Sequence, residues 1–470
     1  MIHHESMTLP PVGEGWPLPS RIWGDVSGTG EVAESNSPLN GKLVQSVRLL
    51  SHYELEQLFG AVQEAPSFST EELSGFLARL HANFLDMESD FFLAMRLETG
   101  FSFYDCREMI AGVESLLSAP LPNVHENERS TADIQYPAIG KMRRIQLVTA
   151  PWGTVAVILP QNAFLIIAVT ALINGLATGN RVILRAPVQS ARSASLLSHL
   201  LTISECPWSS VSVVLCKSLD FVDYAYRAKP SILLHYMGSS RHAASIIHRS
   251  FDQGTPLIVD GEGNVWVYVS EGCNVQSAAK ILAKGSLRYY GQTCTSINGA
   301  MIHPSIYGSV RSALKQQFAS SRVGPLLDEQ QATWCWQRIQ ESGGQVLVGG
   351  CWSSSQMAPT LVDSPSLKSD LVSEGLFGPA LWIRQADGDE FVSSWPLNRF
   401  PLCAGILGPE SAGRYWPASL AHVARVVLDG DPSIESVFEP WGGYPPSGQN
   451  PVGPWYAKYQ RTIQIDRPDN

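Results

Sequence analysis

The chain has 470 residues, of which 44% are hydrophobic and 16% are charged, and its formal net charge is −10. This length is sufficient to bury a large core and predicts two or three domains. The acidic balance argues against a nucleic-acid partner or an anionic membrane partner, because both require a basic surface on the protein.

The cysteines and the N-terminus favour a cytoplasmic protein without disulfides or a metal site. None of the eight cysteines forms a Cys-x-x-Cys pair, which predicts reduced thiols and no zinc. Residues 1–18 lack the pattern of a signal peptide. The apolar run at 155–173 is interrupted by Pro160, Gln161 and Asn162, so it predicts a buried strand and a buried helix rather than a membrane span.

In chain order, residues 1–40 predict an extended arm or loop, and residues 51–118 carry the three- and four-residue apolar spacing of helices. Strands then alternate with helices, which predicts a doubly wound parallel sheet that binds ligands at the carboxyl ends of its strands. The predicted strands are 146–149, 154–159, 181–184, 211–215 and 232–235, and the predicted helices are 162–178, 189–202, 219–228 and 239–251.

A second alternating series begins with a strand at 265–269 and ends near a strand at 462–465. Within it, Cys294 lies in the run Tyr290–Ser296, between a predicted helix at 277–289 and a predicted strand at 297–303. A helix–turn–strand junction can present a thiolate into a cleft as a nucleophile. The alternative is that Cys294, like most free cysteines, is a small buried hydrophobe.

Three other stretches offer polar groups at strand-to-helix turns. Asn162 begins a helix, where it is either an N-cap or a donor to an oxyanion. Met237–Ser240 opens a helix whose amides could hold a phosphate, although many such turns contain Gly and Ser. The run Asp260–Asn264 has the composition of a flexible turn.

Taken in order, these stretches resemble the aldehyde dehydrogenase superfamily over residues 50–466. The resemblance implies an α/β fold with a doubly wound, parallel-sheet cofactor domain, an α/β catalytic domain and a small oligomerisation arm. The motifs that carry it are Pro151-Trp152-Gly153 with Pro160-Gln161-Asn162, Gly179–Arg185, Met237–Ser240, Gly291-Gln292-Thr293-Cys294, Glu374–Pro379, and Trp441-Gly442-Gly443 with Ser447-Gly448.

The resemblance also implies roles and boundaries. Cys294 would be the nucleophile and Asn162 the oxyanion donor, acting on a small aldehyde or acyl thioester in a homodimer or homotetramer. The cofactor-binding residues would be Pro160, Arg185, Gly238, Ser239, Glu374 and Phe377. The units would be an arm at 1–50, a cofactor domain at 51–131 and 150–256, a catalytic domain at 257–439, and the oligomerisation arm at 132–149 and 440–470.

Several positions depart from the family pattern. Arg185 replaces the usual lysine, and its positive charge favours NADP over NAD. Ala243 stands where a second glycine is common, and Gly375 stands where a glutamate usually contacts the cofactor, with Glu374 adjacent. Cofactor contacts are therefore expected to differ from those of typical members.

The departure with most effect on mechanism precedes Cys294. Val259 falls where hydrolytic members carry a glutamate base, and the run Gly261–Val265 resembles the CoA-acylating branch. A thioester reacts with water only with the help of a base, whereas an external thiol is already a few per cent thiolate. The pattern favours a thiol acceptor such as CoA, with Glu262 and Asp260 as substitute bases if water is the acceptor.

Three hypotheses follow from the sequence. The first is an NAD- or NADP-dependent enzyme that interconverts an aldehyde and an acyl thioester, with CoA as a candidate co-substrate. The second is a hydrolytic aldehyde dehydrogenase that uses Glu262 or another carboxylate as its base. The third is a binding protein of the same fold that has lost catalysis, which the changes at Ala243 and Gly375 keep open.

Overall fold

The computed structural model describes residues 20–60, 68–124, 132–136, 141–228, 232–322, 324–413 and 416–468. Two mostly parallel sheets with flanking helices form the bulk of the described chain, and a small antiparallel sheet is separate from both. The α/β class and the doubly wound arrangement predicted from the sequence are confirmed.

The first sheet has nine strands, of which the central five are parallel. Both faces of these strands are covered by helices, which is why they are almost continuously apolar. In spatial order the strands are Asp25–Ser27, Ser20–Ile22, Val211–Leu215, Arg181–Ala186, Thr154–Ile158, Leu233–Met237, Leu257–Asp260, Gly448–Gly453 and Trp441–Gly443.

The helices of this unit follow the predicted alternation. The longest carries the capping box that Ser69 and Glu72 form, in which each residue accepts a hydrogen bond from the other's backbone. The helices are His52–Gly60, Thr70–Thr99, Phe103–Ser118, Phe164–Ala177, Ala191–Ile203, Ser218–Arg227 and Ser240–Gln253, with Trp455–Lys458 near the C-terminus.

The second sheet has seven strands, and only its first edge strand is antiparallel. Its spatial order is Gln345–Val348, Thr360–Asp363, Ala380–Gln385, Ile297–Ile302, Val265–Val269, Cys403–Leu407 and Arg425–Leu428. The helices of this unit are Val275–Leu287, Pro304–Ser320, Glu329–Glu341, Asp370–Ser373, Gly388–Ser394 and Trp416–Ser419.

The small antiparallel sheet places Lys141–Pro151 between Ala132–Tyr136 and Gln460–Pro468. Two hairpins complete the described strands, one formed by Val32–Asn36 with Leu43–Arg48 and the other by Trp352–Ser353 with Gln356–Met357. In the described ranges, no helix has both the length and the apolar character needed to cross a membrane.

The structure differs from the expected boundaries at both ends of the chain. The described part of the arm expected at 1–50 contains four strands, and Ser20–Ile22 pairs with the edge of the first sheet; residues 1–19 lie outside the described residues. Gly448–Gly453 pairs with Leu257–Asp260, so both segments belong to the first sheet. The Pro, Gly and Ser content of residues 1–40 predicted an extended arm or loop, but tertiary pairing overrides local propensity.

Candidate active site

Cys294 lies on a turn held in an uncommon backbone conformation. The helix Val275–Leu287 ends, and Tyr289, Tyr290 and Gly291 then adopt positive φ values of 50°, 55° and 69°. Non-glycine residues rarely adopt this conformation, so the surrounding packing must stabilise it. Phe101 supplies part of that packing through its ring contact with Tyr289, at 5.4 Å between centroids. The predicted helix–turn–strand junction is therefore present and is sharply bent.

Asn162 reaches this turn from the first sheet. Its Nδ2 donates a hydrogen bond to the carbonyl oxygen of Gln292 at 2.8 Å, two residues before Cys294. The helix begins only at Phe164, and its cap, Ala163, has no side-chain hydrogen bond, so the N-cap interpretation of Asn162 is wrong. An amide has two N–H donors. One of them holds the nucleophile turn in place.

The Cys294 thiol is half-buried in an acidic environment. Burial raises its pKa well above the ordinary value, and the negative charges of Glu435 and Asp260 raise it further. A hydrogen bond from the backbone N–H of Cys294 acts to lower the pKa of this thiol. The resting thiol is therefore protonated at neutral pH, and it becomes a better nucleophile when positive charge enters the site.

Asp260 is the last residue of the strand Leu257–Asp260, and its negative charge raises the pKa of the Cys294 thiol. Val259 is 2% exposed and packs in a core cluster with Ile158 and Tyr236. Successive strand residues face opposite sides of a sheet. The structure therefore places the carboxylate of Asp260, and not the side chain of Val259, where it can influence Cys294.

Both oxygens of Asp260 already accept hydrogen bonds. One is 2.7 Å from Nε2 of His235, and the other is 2.7 Å from Nδ2 of Asn450. Burial alone would raise the pKa of Asp260, but these hydrogen bonds, the His235 charge and the Lys458 charge outweigh it and lower the pKa. A carboxylate with a lowered pKa and two bound donors is a weak base.

The Asp260 carboxylate is part of a larger buried network that sequence reasoning missed. Nδ1 of His235 lies 2.9 Å from the hydroxyl of Tyr459, and Nζ of Lys458 donates to Oδ1 of Asn450 at 2.6 Å. Burial lowers the pKa of Lys458 to about 8. Asp260 and Asn450 are 190 positions apart in the chain, and His235 and Tyr459 are 224 apart, so a histidine within an apolar strand was the one available signal.

Glu262 is turned toward the amino end of Ser240–Gln253. Its Oε2 accepts a hydrogen bond of 3.1 Å from the backbone N–H of Ser240. The flanking Gly263 packs against the nucleophile turn, because a Cβ at this position would overlap the carbonyl oxygen of Cys294. The turn at 261–263 therefore touches Cys294 through its backbone while its carboxylate caps a helix.

The predicted cofactor residues of the first sheet lie at strand carboxyl ends. Ser239 caps Ser240–Gln253, and the N–H of Gly238 donates to the carbonyl oxygen of Asp260 at 3.1 Å. Nε and Nη2 of Arg185 donate to the carbonyl oxygen of Cys216 at 3.1 and 2.7 Å. Burial lowers the pKa of Arg185. Pro160 is half-buried just beyond Thr154–Ile158.

Glu374 and Phe377 come from the second unit. Glu374 is held in ion pairs by Arg338 and Arg399, so its carboxylate is not an unpaired acceptor for a ribose. Gly375 has a φ of 74°, and a Cβ there would lie 2.7 Å from Oδ1 of Asn264, so this position does not accommodate the glutamate of typical members. Phe377 is half-buried, and its carbonyl oxygen accepts a hydrogen bond from Gln331.

The predicted cofactor residues of the first sheet fit a dinucleotide at one end of that sheet. The strands that precede Pro160 and Gly238 and the strand that contains Arg185 near its end are parallel neighbours, so their carboxyl ends share an edge. The N–H of Ser240 already binds an anionic oxygen, that of Glu262, which is the interaction that a phosphate would make there. A phosphate at this helix end would have to displace the Glu262 carboxylate.

Comparisons with known proteins agree with this architecture. A model of the aldehyde dehydrogenase family matches residues 25–462, so the chain belongs to that family of enzymes. It is 22% identical to 3-sulfolactaldehyde dehydrogenase of Priestia aryabhattai, over 84% of this chain and 86% of the relative. It is 26% identical to vanillin dehydrogenase of Pseudomonas sp. (strain HR199 / DSM 7063), over 89% and 90%.

A solved structure, described as an NADP-dependent enzyme of E. coli, superposes with a TM-score of 0.85. It is 19% identical in sequence, and the match covers 96% of this chain and 98% of that one. At this identity the similarity establishes the aldehyde dehydrogenase fold.

Proposed function

We propose that this enzyme interconverts an aldehyde and an acyl thioester through Cys294, with NAD or NADP as the electron carrier and an external thiol such as CoA as the acyl acceptor. The observation that carries the proposal is the hydrogen bond of 2.8 Å from Asn162 to the turn that bears Cys294. It brings an amide donor and a thiol together at the junction of two α/β units.

In the oxidative direction, the Cys294 thiol gives up its proton to solvent and its sulfur adds to the aldehyde carbon. The second N–H of the Asn162 amide and the backbone N–H of Cys294 donate hydrogen bonds to the resulting oxyanion. A bound NAD(P)⁺ would supply the acceptor for the hydride of this carbon, and Cys294 would then carry the acyl group as a thioester. The overall reaction with CoA converts aldehyde, NAD(P)⁺ and thiol into acyl-CoA, NAD(P)H and a proton.

The choice of a thiol acceptor rests on the two carboxylates of the turn that precedes Cys294. Glu262 caps a helix, and both oxygens of Asp260 accept hydrogen bonds. These contacts occupy both oxygens of Asp260 and one oxygen of Glu262, which disfavours either carboxylate as the base for a water molecule. Arg185 retains N–H donors beyond those used by Cys216, which supports NADP, with its additional phosphate, as the preferred carrier.

Hydrolysis of the thioester to a carboxylic acid is the second candidate. It is favoured by the negative charges of Asp260 and Glu435 near Cys294 and by the relatives reported above, whose names describe them as dehydrogenases. The test is to supply an aldehyde and NAD(P)⁺ with and without CoA. Turnover that requires CoA and yields acyl-CoA supports the proposal, whereas CoA-independent formation of acid refutes it in favour of hydrolysis.

We also propose that the small antiparallel sheet joins two copies of the chain. Ala132–Tyr136 and Gln460–Pro468 are its outer strands, and within the described residues each has one unpaired edge. Such an edge can pair with another subunit. Analytical ultracentrifugation at micromolar concentration is expected to show a dimer or tetramer, and a monomer would refute the assignment.

A further inference from the structure

We propose that Glu435 selects aldehydes that carry an ammonium group a few carbon atoms from the carbonyl. This inference rests on the proposed function and names its substrate class. Glu435 lies in the loop between Arg425–Leu428 and Trp441–Gly443, a polar stretch that none of the motifs includes.

The structure brings the Glu435 carboxylate to the nucleophile. Nη1 of Arg288, which directly precedes the nucleophile turn, donates to the carbonyl oxygen of Ser433, two residues before Glu435. The Thr295 side chain, next to Cys294 in the chain, interacts with the Glu435 carboxylate and acts to lower its pKa. Among the neighbouring charges, that of Glu435 raises the pKa of the Cys294 thiol most. Thr295 is 1% exposed, whereas Glu435 is solvent-accessible. The carboxylate is therefore open to solvent beside the nucleophile turn, and we place the side chain of the incoming aldehyde there.

The loop that carries Glu435 is fixed by its backbone. Arg425 donates to the carbonyl oxygens of Pro432 at 2.9 Å and Ile434 at 2.8 Å, and Arg288 donates to that of Ser433 at 2.9 Å. Three consecutive carbonyls immediately before Glu435 are thus anchored. A side chain on a loop held in this way is already ordered before a ligand binds, which reduces the entropic cost of binding.

The two arginines that anchor the loop form ion pairs with carboxylates other than Glu435. Arg288 pairs with Glu108, and Arg425 pairs with Glu439 at 3.3 Å. Over the part of the chain that the structure describes, Glu435 itself has no ion-pair partner. Protein surrounds it densely enough that burial raises its pKa, an effect that Thr295 and the arginines only partly offset. A carboxylate with these surroundings gains from a cationic ligand.

Charge complementarity then discriminates between substrate classes. An ammonium group beside Glu435 would be attracted to it, whereas a sulfonate, such as that of 3-sulfolactaldehyde, would be repelled. The cation would also offset the negative charge that raises the pKa of Cys294, and so would favour the thiolate. A cationic aldehyde would therefore bind better and would also react with a more nucleophilic sulfur.

The test compares 3-aminopropanal, butanal and succinate semialdehyde, which are cationic, neutral and anionic aldehydes of similar length. For the wild type, kcat/KM is expected to fall in that order. Glu435→Gln should reduce the ratio of kcat/KM for 3-aminopropanal to that for butanal by about two- to fivefold, the range for a partly screened charge pair. Glu435→Asp should retain most of the ratio, and the matched surface variant Glu341→Gln should leave it unchanged.

Alkylation of Cys294 by iodoacetamide, followed by mass spectrometry of its peptide, gives a readout that needs no turnover. Glu435→Gln should accelerate alkylation at pH 8, because removing the negative charge lowers the thiol pKa. Propylamine should increase the alkylation rate of the wild type up to a saturating concentration, and it should leave the alkylation rate of the variant unaffected.

Two results would overturn the inference. One is an unchanged substrate ratio in Glu435→Gln. The other is a variant that releases the first NAD(P)H with every aldehyde but no longer turns over, which would make Glu435 a base for deacylation. A wild type that reduces NAD(P)⁺ with none of the three aldehydes would instead refute the proposed function, and the propylamine response would still decide whether Glu435 binds cations.

Discussion

Replacing Glu262 with glutamine separates its two candidate roles, base and helix cap. The Glu262 carboxylate accepts the Ser240 N–H at 3.1 Å, at the helix end where the resemblance places the cofactor pyrophosphate. If it is a cap that the pyrophosphate displaces, glutamine removes a like charge from the binding site and offers a weaker competing acceptor. Cofactor affinity should then increase.

The size of the effect follows from the charge-assisted hydrogen bond. Such a bond is worth about 1.5–3 kcal/mol and a neutral one about 1 kcal/mol, so the competing interaction weakens by about 0.5–2 kcal/mol. Because 1.4 kcal/mol corresponds to a factor of ten, Kd should fall about two- to thirtyfold. Titration of tryptophan fluorescence with NADH and NADPH measures both constants.

The matched control is Glu271→Gln, which removes the same charge at an exposed position. An unchanged or weaker Kd in Glu262→Gln would refute the displacement argument. Loss of steady-state turnover after a normal first release of NAD(P)H would show instead that Glu262 is the base of a hydrolytic enzyme.

Three further predictions concern the same site. Asn162→Ala should lower kcat by about 10²–10³-fold through loss of an oxyanion donor, while binding of the reduced cofactor, followed by fluorescence, stays close to the wild-type value. Gly263→Ala should displace the nucleophile turn, because its Cβ would overlap the Cys294 carbonyl; normal activity with normal thermal stability would contradict the packing described here. The pKa of Asp260 is lower in the folded protein than in the unfolded chain. Its contribution to the free energy of unfolding is therefore complete above the pKa of an unfolded aspartate and is lost as pH falls through the lower folded-state pKa. Urea denaturation should accordingly show that Asp260→Asn costs more stability at pH 7 than at pH 3.

Regular periodicity made much of the fold predictable. The apolar strands at 154–159 and 181–184 and the Ser69–Glu72 capping box could be read locally, because each signal lies within a few consecutive residues. The junction around Cys294 was predictable for the same reason, since the apolar period changes from helical to strand-like across it. Edge strands such as Ser20–Ile22 were missed because they form only through pairing with distant segments.

The direction of side chains within the site was much harder to predict. A shift of one residue along a strand reverses the face that a side chain occupies, so the sequence did not distinguish a base position at Val259 from one at Asp260. For Glu262, the glycine-rich turn showed that a carboxylate was present but not that it would cap a helix. Glu435 could not be identified, because its relation to Cys294 depends on how the loop folds over the second sheet.

The network around Asp260 bears on how the enzyme should be produced for study. Lys458 and Tyr459 follow the last strand of the first sheet, and they bond to Asn450 and His235, the two groups that bind the Asp260 carboxylate. This segment thus stabilises the strand end beside the nucleophile. Shortening the chain before Lys458 would leave a buried aspartate and histidine with fewer partners, so the segment should be kept intact when the enzyme is produced.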